Sequence, residues 1–388
     1  MTQRYPTTTM EEKLQKTELV GGITFTPPLY KQRYLFVKQL VSRHKPKKVA
    51  DLGCADCRLL WLLKFCCSVE ELVGVDISED VMKQKMHTLS PIPGDYLQPS
   101  EKCLTITLYQ GSVTQKDPCM LGFDMITCIE LIEHLEAKEL ETFPEVVFGF
   151  MSPAMIVIST PNSEFNPLLP TETFRHPDHK FEWNRAQFQN WSQAAAARYN
   201  YTVEFTGLGA PPPGKEVGFC TQIGVFMKNY RKTDEHDKLQ ENKEHVYKTV
   251  FRVVYPSLKD EKYLQNAVVG EVIQKAQIIA RRLLDHRESK CKMDCDDHFE
   301  EESRFLASQC VLRYLEYPPL VEADKDSKQP FISGNTVYIP LRNIFSFPKV
   351  NQLCGNMETL KKLIIGKVAL SNDGSAVLTD IENEDLDD

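Results

Sequence analysis

Apolar positions along the chain fall into two alternating kinds of segment. Val49–Leu52 running into Gly53, Leu72–Ser78, Leu104–Gln110, the first half of Phe123–Leu135 and Ala154–Ser159 read as strands. Between them lie stretches with helical spacing: about Tyr30–Ser42, Arg58–Cys67, Glu79–Leu89, Glu139–Phe150 and 184–199. Tyr201–Gly207 and Phe219–Lys228 read as two strands joined through Pro211-Pro212-Pro213-Gly214, an antiparallel hairpin. Strand–helix alternation closed by such a hairpin predicts an α/β fold with a doubly wound, mostly parallel sheet.

The pattern changes near Lys228. Tyr230–Glu244 is charged and linker-like, Val246–Tyr255 alternates as a strand, and Ala267–Leu284 has helical spacing. Glu288–Glu302 is charged with few apolar residues, and the last nine residues carry six acids. The expected organisation is a flexible, Thr-rich segment at 1–22, a catalytic domain at 23–230, and a smaller, partly disordered region at 231–388 of no legible role.

Composition narrows the class. The chain has 388 residues, 42% hydrophobic and 26% charged, which suits a globular protein of two domains or one large one. No apolar run approaches the ~20 residues of a membrane span. Twelve cysteines are present, yet pairs such as Cys66-Cys67 sit in apolar, helix-like sequence, and the start of the chain lacks an apolar signal segment. The expectation is reduced thiols and a cytoplasmic protein with no membrane partner. The formal charge of −8 argues against a broadly basic binder of DNA, but it is uneven. Residues 1–48 are +7 and the remainder −15, so a basic surface sits on an acidic body. That suits a polyanion held at one end, although solvated helix-face lysines give the same count.

Two sets of residues carry chemistry. Gly53 turns the first strand into a helix, and Asp76 ends the next strand 23 residues later, placed to accept a ribose's two hydroxyls. One glycine instead of Gly-x-Gly-x-x-Gly suits a ligand without a pyrophosphate, such as S-adenosylmethionine, with Ser112 just past the third strand near the adenine. The missing later glycines leave that loop's geometry open. The second set lies where Phe123–Leu135 switches from strand to helical spacing. Glu130, Glu133 and His134 stand at i, i+3 and i+4, sharing one face of a first helical turn. Two carboxylates beside an imidazole repel unless a cation sits among them, and a divalent ion is the natural candidate. A similar Glu-x-x-Glu-His ends a strand in methyltransferases that bind no metal there, so both readings stand on this motif alone.

The combined motifs resemble a known family. Phe25-Thr26-Pro27-Pro28-Leu29, Asp51–Asp56, Glu130–His134, Ser159–Asn166, Arg175-His176-Pro177-Asp178-His179-Lys180-Phe181-Glu182-Trp183 and Phe188-Gln189-Asn190-Trp191 look like the small-RNA 3′-end 2′-O-methyltransferases of the Hua-enhancer type, nearest the animal members acting on PIWI-interacting RNAs. The likeness spans about residues 20–230. It implies a class I methyltransferase fold, S-adenosylmethionine contacts at Gly53, Asp76 and Ser112, and Mg²⁺ or Mn²⁺ ligands at Glu130, Glu133, His134 and His179. It implies contacts to the terminal nucleotide at Phe25, Pro27, Pro28 and Leu29. The expected substrate is the 3′ end of a small single-stranded RNA, presented by a PIWI-class protein, because the extra RNA-binding domains of plant relatives are missing from this sequence. An ion so held would activate and position the terminal 2′-hydroxyl. A methyltransferase for a small hydroxylated molecule, or an idle silencing platform, fits fewer of these motifs. His176 reads as a loop histidine in preference to a supporting partner of the site, and Cys291, Cys295 and His298 lack the second Cys pair of a zinc knuckle.

Overall fold

The computed structural model describes residues 18–20, 23–169, 174–229, 245–293 and 329–381, with side chains given from 23 to 287 and from 329 within those spans. They form two compact units, one of residues 1–92 and 102–255, the other of 93–101 and 256–388. The first unit begins with a short hairpin, β1 (Glu18–Val20) and β2 (Ile23–Phe25), followed by α1 (Leu29–His44). Then come β3 (Lys48–Leu52), α2 (Arg58–Leu63), β4 (Glu71–Asp76) and α3 (Glu79–Lys85). After α4 (Pro93–Leu97), which belongs to the second unit, the first continues with β5 (Thr105–Gln110), β6 (Met125–Ile129), α5 (Ala137–Pro144) and β7 (Met155–Pro161). It closes with α6 (Arg185–Tyr199), β8 (Tyr201–Leu208), β9 (Thr221–Lys228) and β10 (Lys248–Val254).

These strands build one eight-stranded sheet in the order β10-β5-β4-β3-β6-β7-β9-β8. β3 to β7 run parallel, and β8, β9 and β10 are the antiparallel additions. The apolar runs are explained by burial on both faces. Val49, Leu72, Met125 and Val157 pack on one side with Val37 and Val41 of α1 and Leu60 of α2. Their strand neighbours Ala50, Val73, Ile126 and Ile158 pack on the other with Phe143, Phe148, Phe188 and Ala196. Strand order reverses at β3, which opens a crevice beyond its carboxyl end, where open α/β sheets bind ligands. Gly53, Asp76, Ser112, Glu130 and Asn162 all stand at or just beyond the carboxyl ends of parallel strands, so one rim collects the candidate chemistry.

Three expectations change. The expected boundary near residue 230 falls inside the first unit, because β10 pairs along β5 from Lys248 opposite Gln110 to Val254 opposite Thr105. The second half of Phe123–Leu135 is not a regular helix. Glu130 has φ +52°, a single tight turn covers Ile132–His134, and α5 starts only at Ala137. The C-terminal third has a core of its own. Val268, Val272, Ala276 and Ile279 line one face of α7 (Glu261–Met293) and pack against Val337, Ile339, Ile344, Leu360 and Leu363. A three-stranded antiparallel sheet, β11 (Phe331–Ser333), β12 (Thr336–Pro340) and β13 (Ala376–Asp380), completes that unit. Of the segment 1–22 expected to be flexible, Glu18–Val20 instead pairs as β1, and the charged stretch Glu288–Glu302 begins inside α7. The rest of both, the 230–244 linker and the acidic tail from 382 lie outside the described residues, as do the side chains of Cys291, Cys295 and His298. Among the described residues, no helix is long and apolar enough to cross a membrane.

Candidate active site

The acidic half of the site is set by β6, β7 and the turn after each. Glu130 leaves β6 with its backbone N–H bonded to Ser159 O at 3.1 Å, and Ser159 Oγ donates to its Oε1 at 2.9 Å. Its Oε2 pairs with Arg33 of α1 at 3.3 Å. Glu133 is fully buried, and Thr160 Oγ1 donates to its Oε2 at 3.0 Å while Oε1 has no hydrogen-bond partner. Burial, reinforced by the charge of Glu130, pushes its carboxyl well above the ordinary value. A buried carboxylate oxygen without a partner is costly unless a proton or a cation meets it.

His134 ends the β6 turn, and His176 and His179 arrive from a separate loop. The backbone N–H of Lys180 donates to Glu133 O at 2.8 Å, which pins the loop to the β6 turn. His134 and His179 lie 4.8 Å apart between ring centroids. His176 joins them, and one ligand atom of each of the three lies within 4.8 Å of the others. His176 thus departs from the ordinary loop role expected of it, whereas neither Glu130 nor Glu133 joins that tight group. Burial, then the neighbouring imidazoles, lower the His134 pKa, so its ring is neutral at physiological pH with a lone pair to offer.

The loop is held by a node of buried polar groups. Glu182, its side chain 1% exposed, accepts from His179 Nδ1 and from Arg175 N, each at 2.6 Å, and from Asn166 Nδ2 at 2.5 Å. With Nδ1 occupied, His179 turns Nε2 to its other side as the free ligand atom. Arg175 is itself fixed by Asn166 Oδ1, by Cys220 O and by Asn162 O. Asn162 is buried and ties β7 to the loop before β9 through Val217 O and Phe219 O, at 2.8 and 2.9 Å.

The second pocket lies on the β4 side of β3. Gly53 has φ +73°, a conformation strained for any side chain, and a Cβ there would stand 2.8 Å from Leu131 Cδ1. Ala55 and Cys57 also take left-handed φ, +43° and +63°. The loop therefore reaches a glycine-type conformation without the later glycines, at a cost of roughly 1–2 kcal/mol per residue. Asp76 holds that loop, accepting from Ala55 N and from Ser78 N at 2.8 Å each. Ile77 beside it is 72% exposed, an apolar surface at the rim suited to the face of a base. Asp51 is buried against Thr127 Oγ1 at 2.7 Å, and burial pushes its pKa to about 7 despite that bond. Ser112 begins the turn after β5, its Oγ 2.8 Å from Thr114 Oγ1.

The Phe-x-Pro-Pro-Leu element is split in character. Phe25 is buried against Phe165, with ring centroids 6.0 Å apart, and Leu29 packs beside it. Pro28 is buried as well, which leaves Thr26 and Pro27 as the exposed members.

A family model described as the HENMT1 C-terminal domain matches residues 262–381. The small RNA 2′-O-methyltransferase of Gallus gallus is 62% identical over 378 residues, covering 97% of this chain and 100% of that protein. That of Xenopus tropicalis is 51% identical over 93% of this chain and 98% of its own length. The chain belongs to the small RNA 2′-O-methyltransferase family. The crystal structure of small RNA methyltransferase HEN1 matches it with a TM-score of 0.51 and 32% identity, over 60% of this chain and 28% of that one. The fold is that of the class I S-adenosylmethionine-dependent methyltransferases, a family of enzymes, and the matched C-terminal segment lies within the second compact unit.

In this family member the sequence motifs point to Glu130, Glu133, His134 and His179 but pass over the residues that hold them. Arg33 is one of many basic residues in α1 and its contact with Glu130 spans the sheet. Glu182 has a readable signal, since it stands three residues after His179, but pairing at that spacing presumes a turn that only the folded loop supplies.

Proposed function

We propose that the chain transfers the methyl group of S-adenosylmethionine to the 2′-hydroxyl of the 3′-terminal ribose of small single-stranded RNAs, PIWI-interacting RNAs among them. What supports the reading is two groups of residues at the rim, one on either side of β3. One presents the Gly53 loop, Asp76 and Ser112. The other has the cluster of His134, His176 and His179 and, one residue before His134, the buried Glu133 with a partnerless carboxylate oxygen.

Glu130, Glu133, His134 and His179 would hold Mg²⁺ or Mn²⁺, a mixed oxygen and nitrogen set that suits either and leans to manganese. Bound there, the ion would supply Lewis-acid polarisation of the ribose hydroxyls. Around it Glu182 keeps the Nδ1 proton of His179 in place, burial keeps His134 neutral, and Arg33 balances Glu130. On the cofactor side, Asp76 retains acceptor capacity for ribose hydroxyls while bracing the loop from Gly53. The basic amino-terminal segment gives the RNA backbone a place to lie, with Pro27 exposed and Phe25 and Leu29 shaping the wall behind it. Delivery by a PIWI-class protein in the cytoplasm fits a substrate offered as a single-stranded end.

The test uses the full chain with labelled S-adenosylmethionine, Mn²⁺ and a short single-stranded RNA. Label should enter RNA with a free terminal diol, and not RNA that was oxidised by periodate or ends in a 3′-phosphate. Equal transfer to the oxidised RNA, or full activity in EDTA, would overturn the reading.

A further inference from the structure

The residues leading into β10 do more than extend the sheet. Asp117, fully buried, accepts from Val246 N at 2.6 Å, from Tyr247 N at 2.8 Å and from Cys119 N at 2.8 Å, and pairs with His245 Nδ1 at 3.1 Å. Tyr247 is thereby placed beneath the turn that follows β5. Its hydroxyl is shared between two carbonyl oxygens of that turn, Ser112 O at 2.9 Å and Gln115 O at 3.1 Å. Its ring fills the space under Gly111, where a Cβ would come within 2.2 Å of a ring carbon, so this glycine is required by the tyrosine. One residue on, Lys248 reaches the Glu79 carboxylate at 2.6 Å, and that contact is the leading reason the Glu79 carboxyl is held down to about 2. Residues 245–248 therefore fasten both loops beside the adenine position, the one after β5 and the one after Asp76.

We propose that Tyr247 is a positioning residue for S-adenosylmethionine: its hydroxyl holds the Ser112–Gln115 backbone in the conformation that receives the adenine. The inference rests on reading Gly53, Asp76 and Ser112 as the cofactor pocket. A short turn at a strand end has several backbone conformations of similar energy, and one donor satisfying two of its carbonyls selects among them. Preorganisation of this kind shows up in affinity, because the free protein otherwise orders the turn on binding. The imidazole cluster lies across β3 at the ends of β6 and β7, so metal binding is independent of the tie.

The experiment is calorimetric binding of S-adenosylhomocysteine to the full chain, comparing wild type with Tyr247→Phe, Asp76→Ala and Val253→Ala. Val253 packs in β10 away from the turn and controls for loss of stability alone. Tyr247→Phe keeps the ring and removes the shared hydrogen bonds. It should weaken binding by roughly tenfold, the equivalent of one to two hydrogen bonds. Amides of residues 112–117 should exchange faster with solvent deuterium. KM for S-adenosylmethionine should rise in step, kcat at saturation should change less than about twofold, and Mn²⁺ affinity should hold. Val253→Ala should lower Tm without moving affinity. Unchanged affinity in Tyr247→Phe, with Asp76→Ala weakened, overturns the role of Tyr247 and leaves the pocket standing. Unchanged affinity in both overturns the pocket reading and the inference with it. Equal weakening in Tyr247→Phe and Val253→Ala assigns the effect to stability and also overturns it.

Discussion

Replacing Glu182 by glutamine tests whether the loop node shapes the proposed metal site. Three donors converge on this carboxylate, the N–H of Arg175, Nδ1 of His179 and Nδ2 of Asn166, in a place the solvent does not reach. Glutamine offers one acceptor oxygen and turns an amide NH₂ towards at least one of those donors. If the amide faces His179, the ring must accept at Nδ1 and carry its proton on Nε2, which removes the lone pair a metal needs. In that orientation it also faces Arg175 N, which bonds to the same oxygen, whereas an amide turned to Asn166 shifts the loop instead. Hydrogen bonds to a charged group are each worth about 1.5–3 kcal/mol. Disturbing one of them should cost roughly 10–100-fold in metal affinity. The assay is Mn²⁺ titration of the metal-free chain by calorimetry, joined to nitrogen-15 spectra that report the His179 tautomer. Methyl transfer at limiting Mn²⁺ should fall by a similar factor and recover in part at high Mn²⁺, while S-adenosylhomocysteine binding holds. A Glu182→Gln protein with wild-type Mn²⁺ affinity and an unchanged tautomer would refute the reasoning.

Other outcomes follow from the same geometry. His179→Ala should lose activity at ordinary Mn²⁺ while binding the cofactor normally; wild-type turnover and unaltered chelator sensitivity would remove it from the site. Asp51 has a folded pKa raised to about 7, so its carboxyl stabilises the protein most below its ordinary value, and that contribution is lost as pH rises through about 7. Asp51→Asn should flatten part of the fall in Tm across that range in EDTA, the rest belonging to Glu133, whose shift has the same sign. An identical slope in wild type and variant would exclude Asp51. A chain ending after Tyr255 should keep cofactor binding, whereas one ending near Arg231 loses β10, bares the edge of β5 and leaves Asp117 without two of its backbone donors. Equal Tm and affinity for the two would show that β10 is dispensable.

What the sequence determined by itself is local. Apolar runs with no polar face specify strands covered on both sides, and the Asn184–Gln187 capping pair marks the start of α6 at the expected place. Gly53 and Asp76 were legible because a turn and a strand end have short-range signatures. Glu130, Glu133 and His134 were legible as a motif, yet their geometry was not: Glu130 sits at φ +52° where helical spacing was expected. Only tertiary structure brought His176 and His179 to His134, paired Arg33 with Glu130, made Glu182 the brace of His179 and returned β10 to β5. The histidines meet only because five parallel strands end on one rim, and strand order is decided by long-range pairing and the burial of both sheet faces. Side-chain periodicity reports which face a residue shares with its near neighbours. It carries no information on which distant loop will stand opposite.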